Sequence, residues 1–172
     1  MKKVSLIVFQ RDCMGCHACE IACKQEHGLG VGPRLIKVIE KSPFYLPIYC
    51  HHCTKPPCRD ACPVEAIFRE EQGIVLIEDE LCTGCKACVE ACSFGAMQFD
   101  DDREVAVKCD LCHERLKNDE WPACSKACPT RCILWGDMRK VSEEMEGRRL
   151  TTGNGFKQSP EMGKRLSEGQ EE

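Results

Sequence analysis

The sequence predicts an α+β protein of two small units that repeat one another, followed by an extended C-terminal tail. Three observations lead to this prediction: cysteines recur in four similar sets, short β-like stretches separate the sets, and the composition changes near Val141. The 172 residues include seventeen cysteines but only two tryptophans, two tyrosines and six phenylalanines. A small domain that lacks large core side chains usually needs disulfides or metals, so the chemistry of the cysteines is the first question.

Sixteen cysteines form four sets, and only Cys132 is left over. In chain order the sets are Cys13, Cys16, Cys19 and Cys23; Cys50, Cys53, Cys58 and Cys62; Cys82, Cys85, Cys88 and Cys92; and Cys109, Cys112, Cys124 and Cys128. The first and third sets share the spacing C-x2-C-x2-C-x3-C, and a proline follows the second and the fourth. Every set ends in a C-x3-C step, which we expect to form a single helical turn.

Short stretches of β-forming residues lie around the sets. Residues 4–9 and 35–40 flank the first set. Residues 66–68 and 74–77 predict one hairpin, and residues 96–99 and 104–107 predict another. Few residues after Val141 can be buried, and such a composition is typical of a segment that is disordered alone. We therefore expect residues 141–172 to be a polar tail that binds a partner subunit.

The cysteines favour metal binding over disulfides. A secreted disulfide scaffold would need a signal peptide and normally an even number of cysteines, but residues 1–10 have only a short apolar run and no cleavage site. These features predict a reducing compartment, and we expect a cytoplasmic location. The net charge of −4 predicts no nucleic-acid partner. The lack of a run of about 18 apolar residues predicts no membrane span.

The spacing favours [4Fe–4S] clusters. Three cysteines at i, i+3 and i+6 can bind one cluster, and the fourth can bind the other cluster of a pair. Zinc is the main alternative, but zinc takes four ligands from two separated C-x2-C pairs and has no use for the third cysteine. Because the motif recurs four times, we expect four [4Fe–4S] clusters.

The sequence resembles the four-cluster electron-transfer subunits of the dimethyl sulfoxide reductase, formate dehydrogenase and nitrate reductase families. The resemblance covers about residues 4–140, and it rests on CHACEIACK (16–24), PPC (56–58), CPVEAI (62–67), KCDLC (108–112), PAC (122–124), CPT (128–130) and GD (136–137). Similar subunits serve tungsten aldehyde oxidoreductases, tungsten benzoyl-CoA reductases, carbon monoxide dehydrogenases and hydrogenases. The resemblance therefore fixes the role better than the substrate.

The resemblance implies which cysteines share a cluster, because the family pairs the first set with the fourth and the second with the third. The implied ligand groups are Cys13, Cys16, Cys19 and Cys128; Cys23, Cys109, Cys112 and Cys124; Cys50, Cys53, Cys58 and Cys92; and Cys62, Cys82, Cys85 and Cys88. It also implies two bacterial-ferredoxin-like units with two clusters each. Residues 1–49 and 94–140 would form one unit, and residues 50–93 the inserted other.

The resemblance also implies a function and partners. The chain would relay single electrons to or from a catalytic oxidoreductase subunit, with a molybdenum or tungsten pterin, in anaerobic metabolism, and would not be catalytic by itself. A further electron-carrier subunit is another expected partner. In membrane-linked relatives the first cluster lies nearest the catalytic subunit and the last nearest the electron exit. A free-standing polyferredoxin, or a subunit of a carbon monoxide dehydrogenase or hydrogenase, stays open as an alternative.

Some residues outside the sets could also contribute. Since every set already has four cysteines, we expect His51, His52 and His113 to pack beside clusters rather than bind iron. We expect His17 and His27 to be surface or loop residues.

Two cysteines stand at positions where members of the family differ. Some relatives replace Cys85 by tryptophan and hold a three-iron cluster, so its presence here predicts four-iron clusters throughout. Cys132 stands where the family usually has alanine, and we expect it to pack as a small hydrophobe. We expect Trp121 and Trp135 to fill the core; a position between clusters is the alternative.

Overall fold

A computed structural model describes residues 3–41 and 44–150 of the chain. The elements are short, and two single 3-10 turns (Gln10–Asp12 and Asp79–Leu81) precede the first and third cysteine sets. In chain order the helices and strands are β1 (Val4–Val8), α1 (Ala18–Glu26), β2 (Ile36–Lys41), β3 (Phe44–Tyr49), α2 (Pro57–Asp60), β4 (Ile67–Arg69), β5 (Val75–Ile77), α3 (Ala87–Ala91), β6 (Gln98–Asp100), β7 (Val105–Val107), α4 (His113–Lys117), α5 (Ala123–Ala127), β8 (Ile133–Asp137) and α6 (Met138–Leu150).

Within the described residues, the strands form four antiparallel sheets of two strands each. Three are local hairpins, β2–β3, β4–β5 and β6–β7. The fourth sheet joins β1 to β8, so that Val4 faces Asp137 and Val8 faces Ile133. This long-range pair brings the two ends of the described fold together. Mixed short helices and sheets confirm the predicted α+β class.

The buried side chains form two clusters, and cysteines are prominent in both. The larger cluster contains residues from β1, β2, β7 and β8 together with cysteines of the first and fourth sets. The smaller cluster contains Cys58, Ile67, Val75, Cys88, Met97 and Ala106. The thiols thus occupy positions that larger apolar side chains take in an ordinary core.

The β6–β7 hairpin contributes to both clusters. Successive strand residues point to opposite faces, so Val105 and Val107 join the larger cluster while Ala106 joins the smaller one. Met97, just before β6, also packs in the smaller cluster. Side chains beyond residue 93 therefore pack with cysteines of the second and third sets. The predicted boundaries 1–49, 50–93 and 94–140 stay a prediction.

The prediction of an extended tail from Val141 is wrong for residues 141–150, because these belong to α6. Asp137 caps this helix by accepting the N–H of Arg139 at 2.9 Å, as N-cap residues typically do. Val141 has no exposed surface, and α6 packs against β1 and β8. A polar sequence with one well-placed valine is enough for this helix to dock. Residues 151–172 of the predicted tail lie outside the described part of the chain.

Candidate metal centres

The first and third cysteine sets lie on loops of the same construction. Each loop follows a 3-10 turn, contains a glycine in the left-handed region (Gly15, φ 71°; Gly84, φ 69°) and reaches its helix through a second left-handed residue (His17, φ 57°; Lys86, φ 62°). Glycine adopts this region at little cost. In the third set the three thiols of this loop, Cys82, Cys85 and Cys88, line one cavity.

The second and fourth sets use prolines to start their helices. Pro56 precedes α2 with φ −78° and ψ 108°, and Pro122 precedes α5 with φ −51° and ψ 135°. The first cysteine of each set also accepts an equivalent hydrogen bond. His52 N–H donates to Cys50 Sγ at 3.4 Å, and Leu111 N–H donates to Cys109 Sγ at 3.4 Å. Such N–H donors stabilise a thiolate sulfur.

Three cavities are each lined by four cysteines. The Cys82 cavity has Cys62, Cys82, Cys85 and Cys88. The Cys109 cavity has Cys23, Cys109, Cys112 and Cys124. The Cys50 cavity has Cys50, Cys53, Cys58 and Cys92. Each cavity combines three thiols of one set with the last thiol of another, and these groups coincide with three of the four ligand groups implied by the resemblance.

In the remaining predicted group, Cys19 belongs to α1 and Cys128 directly follows α5, and these two helices pack against each other. Cys13, Cys19 and Cys128 lie close enough to interact electrostatically: burial and Glu20 are the main causes that raise the pKa of Cys19 to about 12, and Cys128 and Cys13 contribute further. Cys16 is exposed on the same loop. Cys85, its counterpart in the third set, is also exposed. One thiol of each loop therefore reaches the surface.

Burial controls the acidity of the inner thiols. It raises the pKa of Cys23 to about 12 and those of Cys88 and Cys112 to about 11. The pKa values of Cys109 and Cys124 are also raised well above the usual range, again mainly by burial. Without a bound cation these thiols stay protonated at neutral pH, and metal binding must displace their protons.

The donor set fits iron–sulfur clusters. The seventeen cysteines, all of which lie in the described part of the chain, are free thiols. Soft thiolate ligands suit zinc or iron–sulfur clusters. Besides its four cysteines, the Cys109 cavity is lined mostly by apolar side chains, including Leu6, Ile36 and Leu111. Three thiol-lined apolar cavities could each hold a compact, sulfur-rich group.

The three histidines near the cysteine sets pack closely, although the buried Nε2 atom of His52 has no hydrogen-bond partner among the described residues. His52 Nδ1 accepts the N–H of Val75 at 3.0 Å, and His113 Nε2 lies 3.4 Å from a Glu70 carboxylate oxygen. His51 packs between the rings of Tyr49 and Phe94.

His27 lies in the turn after α1, in line with the expectation of a loop residue, but its ring also contacts a predicted ligand. Its Nε2 atom lies 3.8 Å from Cys112 Sγ and 3.4 Å from Asp110 Oδ1. The 85 residues that separate His27 from Cys112 explain why the sequence did not indicate this contact. His17 instead joins α1 to β2, since its ring nitrogens face Glu20 and Glu40.

Cys132 is buried beside a predicted ligand. Its Sγ atom lies 3.5 Å from Cys128 Sγ. The two sulfur atoms share a hydrogen bond, which lowers the pKa of Cys128 and raises that of Cys132. Trp121 and Trp135 are half-buried and pack edge to face at 6.3 Å, so the prediction that they fill the core is only partly met.

The described residues contain no helix that is long and apolar enough to cross a membrane.

Lys108, for which the sequence indicated no role beyond its place in KCDLC, is buried and lines the Cys50 cavity. Its signal in the sequence is a lysine that directly follows the buried strand β7.

Comparison with known proteins supports the same chemistry. A sequence model of the family described as "4Fe-4S dicluster domain" matches residues 42–138, and one described as "4Fe-4S binding domain" matches residues 11–26. Together these ranges contain all four cysteine sets.

Several curated proteins are similar over most of their length. One of the chains of the anaerobic dimethyl sulfoxide reductase of Haemophilus influenzae is 33% identical over 138 residues, 70% of this chain and 67% of the relative. Its namesake in Escherichia coli is 30% identical over 148 residues, 77% of this chain and 72% of the relative. One of the subunits of the sulfite dehydrogenase of Allochromatium vinosum is 31% identical over 193 aligned positions, 95% of this chain and 80% of the relative.

Proposed function

Since the chain belongs to the family of proteins with a 4Fe–4S dicluster domain, we propose that it relays single electrons through four [4Fe–4S] clusters. It is an iron–sulfur electron-transfer subunit of the dimethyl sulfoxide reductase type and is not catalytic alone. A [4Fe–4S] cluster supplies one-electron redox chemistry when bound. The observation that carries the proposal is the gathering of four cysteines around each of three cavities.

In this proposal the chain holds two clusters in each of two ferredoxin-like units. The Cys82, Cys109 and Cys50 cavities hold one each, and Cys13, Cys16, Cys19 and Cys128 hold the fourth. The most buried cysteines support the pairing: in the larger cluster they come from the first and fourth sets, with Cys132, and in the smaller one from the second and third sets, although Cys50 and Cys82 also pack against the larger cluster. Apolar lining keeps water from the inner thiols.

The two ends of the relay lie where thiols reach the surface. Cys16 and Cys85 are exposed, whereas Cys109 and Cys124 are buried. Large apolar side chains are exposed next to both ends: Met14 beside Cys16, and Leu81 before the third set. The similarity to subunits of larger oxidoreductases supports a subunit over a free polyferredoxin.

The catalytic partner in this proposal carries a molybdenum or tungsten pterin, and the exposed Cys85 side faces a further electron carrier. The names of the relatives, dimethyl sulfoxide reductase and sulfite dehydrogenase, support an oxidoreductase partner. The odd number of cysteines supports a reducing compartment such as the cytoplasm.

Metal analysis of anaerobically purified protein tests the cluster content. Four clusters of four irons predict about sixteen irons per chain and as many acid-labile sulfides. About two to four tightly bound zinc ions, and no iron even after anaerobic reconstitution, would mean that the thiols form zinc sites instead.

Size-exclusion chromatography of native extract, with mass spectrometry of the co-eluting proteins, tests the partner. We expect a large oxidoreductase subunit to co-elute with the chain. Elution of the cluster-loaded chain alone would identify a free polyferredoxin.

A further inference from the structure

One lysine is buried among the cysteine-lined cavities. Lys108 directly follows β7 and is only 6% exposed. Among the residues that the structure describes, it is the one basic side chain in the buried class. Lysine is almost never fully buried unless an anion is near, so its surroundings call for an explanation.

The hydrogen bonds of Lys108 do not supply an anion. Its ammonium donates to the carbonyl oxygen of Val75 in β5 and to that of Cys109, the latter at 3.0 Å. Both acceptors are neutral. Removing an ammonium from water costs free energy, which neutral carbonyls offset only in part.

The negative charge can come from the Cys50 cavity, which Lys108 lines together with Cys50, Cys53, Cys58 and Cys92. Burial raises the pKa of the Cys50 thiol, and the Lys108 ammonium is the largest influence that opposes this. Burial and Cys50 raise the pKa of Cys58, and Lys108 again lowers it. The positive charge therefore acts directly on two thiols of this cavity.

We propose that Lys108 is a fixed positive charge that raises the reduction potential of the cluster held in the Cys50 cavity. The inference rests on the proposed function. Reduction adds one electron, supplied by a neighbouring one-electron carrier of the relay, and no proton moves. The added negative charge is stabilised by an ammonium held nearby in an interior of low dielectric constant. Net charge around a cluster is one of the factors that set its potential.

The position of Lys108 makes this effect selective. Its two acceptors fix the ammonium between β5 and the start of the fourth set. The Cys82 cavity is not lined by Lys108. Within the relay, the lysine therefore favours the electron on the Cys50 cavity over the Cys82 cavity.

The test compares three variants of the full chain, purified anaerobically and analysed for iron. Lys108→Met removes the charge and keeps a similar length, whereas Lys108→Arg keeps the charge. Lys55→Met is the matched control, because Lys55 lies between Cys53 and Cys58 in sequence but is exposed to water. Redox titration followed by EPR gives the potential of each cluster, and Cys53→Ser identifies the component that belongs to the Cys50 cavity.

We expect Lys108→Met to shift that component to more negative potential, by more than any other component. Lys108→Arg should stay near the wild-type value. Lys55→Met should shift it less, because water and salt screen an exposed charge.

Three outcomes would overturn the inference. They are unchanged potentials in Lys108→Met at full iron content, a largest shift in another cluster, and equal loss of iron in Lys108→Met and Lys108→Arg, which would make the lysine purely structural. In each case the wild-type chain still carries its clusters. Absence of iron from the wild type would instead contradict the proposed function.

Discussion

The loops of the first and third cysteine sets share a backbone but not their surroundings. Both combine a 3-10 turn, two left-handed residues and a helix. However, α1 is nine residues long and α3 only five. The Tyr45 ring covers Gly15, whereas the main-chain carbonyl of Glu104 covers Gly84. The two loops therefore have the same cysteine spacing and the same backbone conformation. The hairpin that packs on each loop determines which substitutions its glycine tolerates.

The largest expected effect concerns the thiol that faces each loop from another set. Cys128 lies near Cys19 and has Cys132 beside it, whereas Cys62 faces the third-set loop. We expect Cys128→Ala to lose or convert one cluster, leaving a three-iron EPR signal or about twelve irons per chain. Cys132→Ala should keep all four clusters, because we expect Cys132 to pack and not to bind iron.

Cys62→Ala is the matched control for Cys128→Ala. Iron analysis and EPR of the three variants show whether Cys128 or Cys132 is the cluster ligand. If Cys62→Ala loses iron but Cys128→Ala does not, Cys132 replaces the missing ligand. If Cys132→Ala is the variant that loses iron, the register of the fourth set is wrong.

The next effect concerns the two glycines. A Cβ at Gly84 would lie 2.7 Å from the Glu104 carbonyl oxygen, which cannot move without the β6–β7 hairpin. At Gly15 the obstacle is the half-buried Tyr45 ring, which can rotate. Alanine in the left-handed region costs about 1–2 kcal/mol in either case. We therefore expect Gly84→Ala to destabilise the folded protein more than Gly15→Ala.

Gly28→Ala measures the backbone cost alone, since Gly28 has φ +59° and no atom within 4 Å of an added Cβ. Denaturation followed by cluster absorbance should rank the three variants as Gly84, Gly15 and Gly28, from the largest loss of stability to the smallest. Equal losses at all three positions would show that the covering groups do not matter.

A smaller effect concerns Glu20, whose equivalent in the third-set helix is Val89. Burial opposes the ionisation of Glu20, but the Val38 N–H and Arg34 lower its pKa on balance. A carboxylate with a lowered pKa stabilises the fold above its unfolded pKa, and this contribution is lost as the pH falls through the folded pKa. Glu20→Gln should therefore cost about 1–3 kcal/mol, unchanged between about pH 8 and pH 9, where carboxylates are fully ionised.

Glu90→Gln, on the exposed face of α3, removes the same charge and should change stability by less than about 0.5 kcal/mol. Denaturation at several pH values measures both variants. A loss for Glu20→Gln that varied strongly within this range would point to a different titrating group.

The smallest effect concerns the left-handed residues before the helices. The Lys86 ammonium lies 3.8 Å from the centre of the Phe99 ring, and an exposed contact of this kind contributes about 0.5–1 kcal/mol. A double-mutant cycle of Lys86→Ala and Phe99→Leu should give a coupling energy of this size. A coupling energy indistinguishable from zero would show that the contact between Lys86 and Phe99 does not stabilise the third-set loop.

Local patterns in the sequence predicted local structure well. The hairpins β4–β5 and β6–β7 form where polar turns separate short apolar runs, with strand ends displaced by one or two residues. β3 was not predicted, because Pro47 lies within it and proline is rare in strands. β8 was not predicted as a partner of β1, since no local signal links residues so far apart.

In the candidate site, too, the sequence predicted local features but not long-range contacts. Spacing alone indicated the four sets, because a cluster constrains cysteines that are close in sequence. Which sets share a cavity came only from the resemblance to a family. The contact of His27 with Cys112 and the burial of Lys108 depend on tertiary packing, and no spacing rule describes them.

The pairing of β1 with β8 has a consequence for synthesis on the ribosome. All the cysteines that line the Cys50 and Cys82 cavities have been synthesised once the ribosome has reached residue 92. The Cys109 cavity needs Cys23 together with Cys124, and β1 finds its partner strand only at residues 133–137. The cysteines of the first set are therefore synthesised long before the other ligands of their sites. During that interval these thiols are the ones most exposed to oxidation or to binding of the wrong metal.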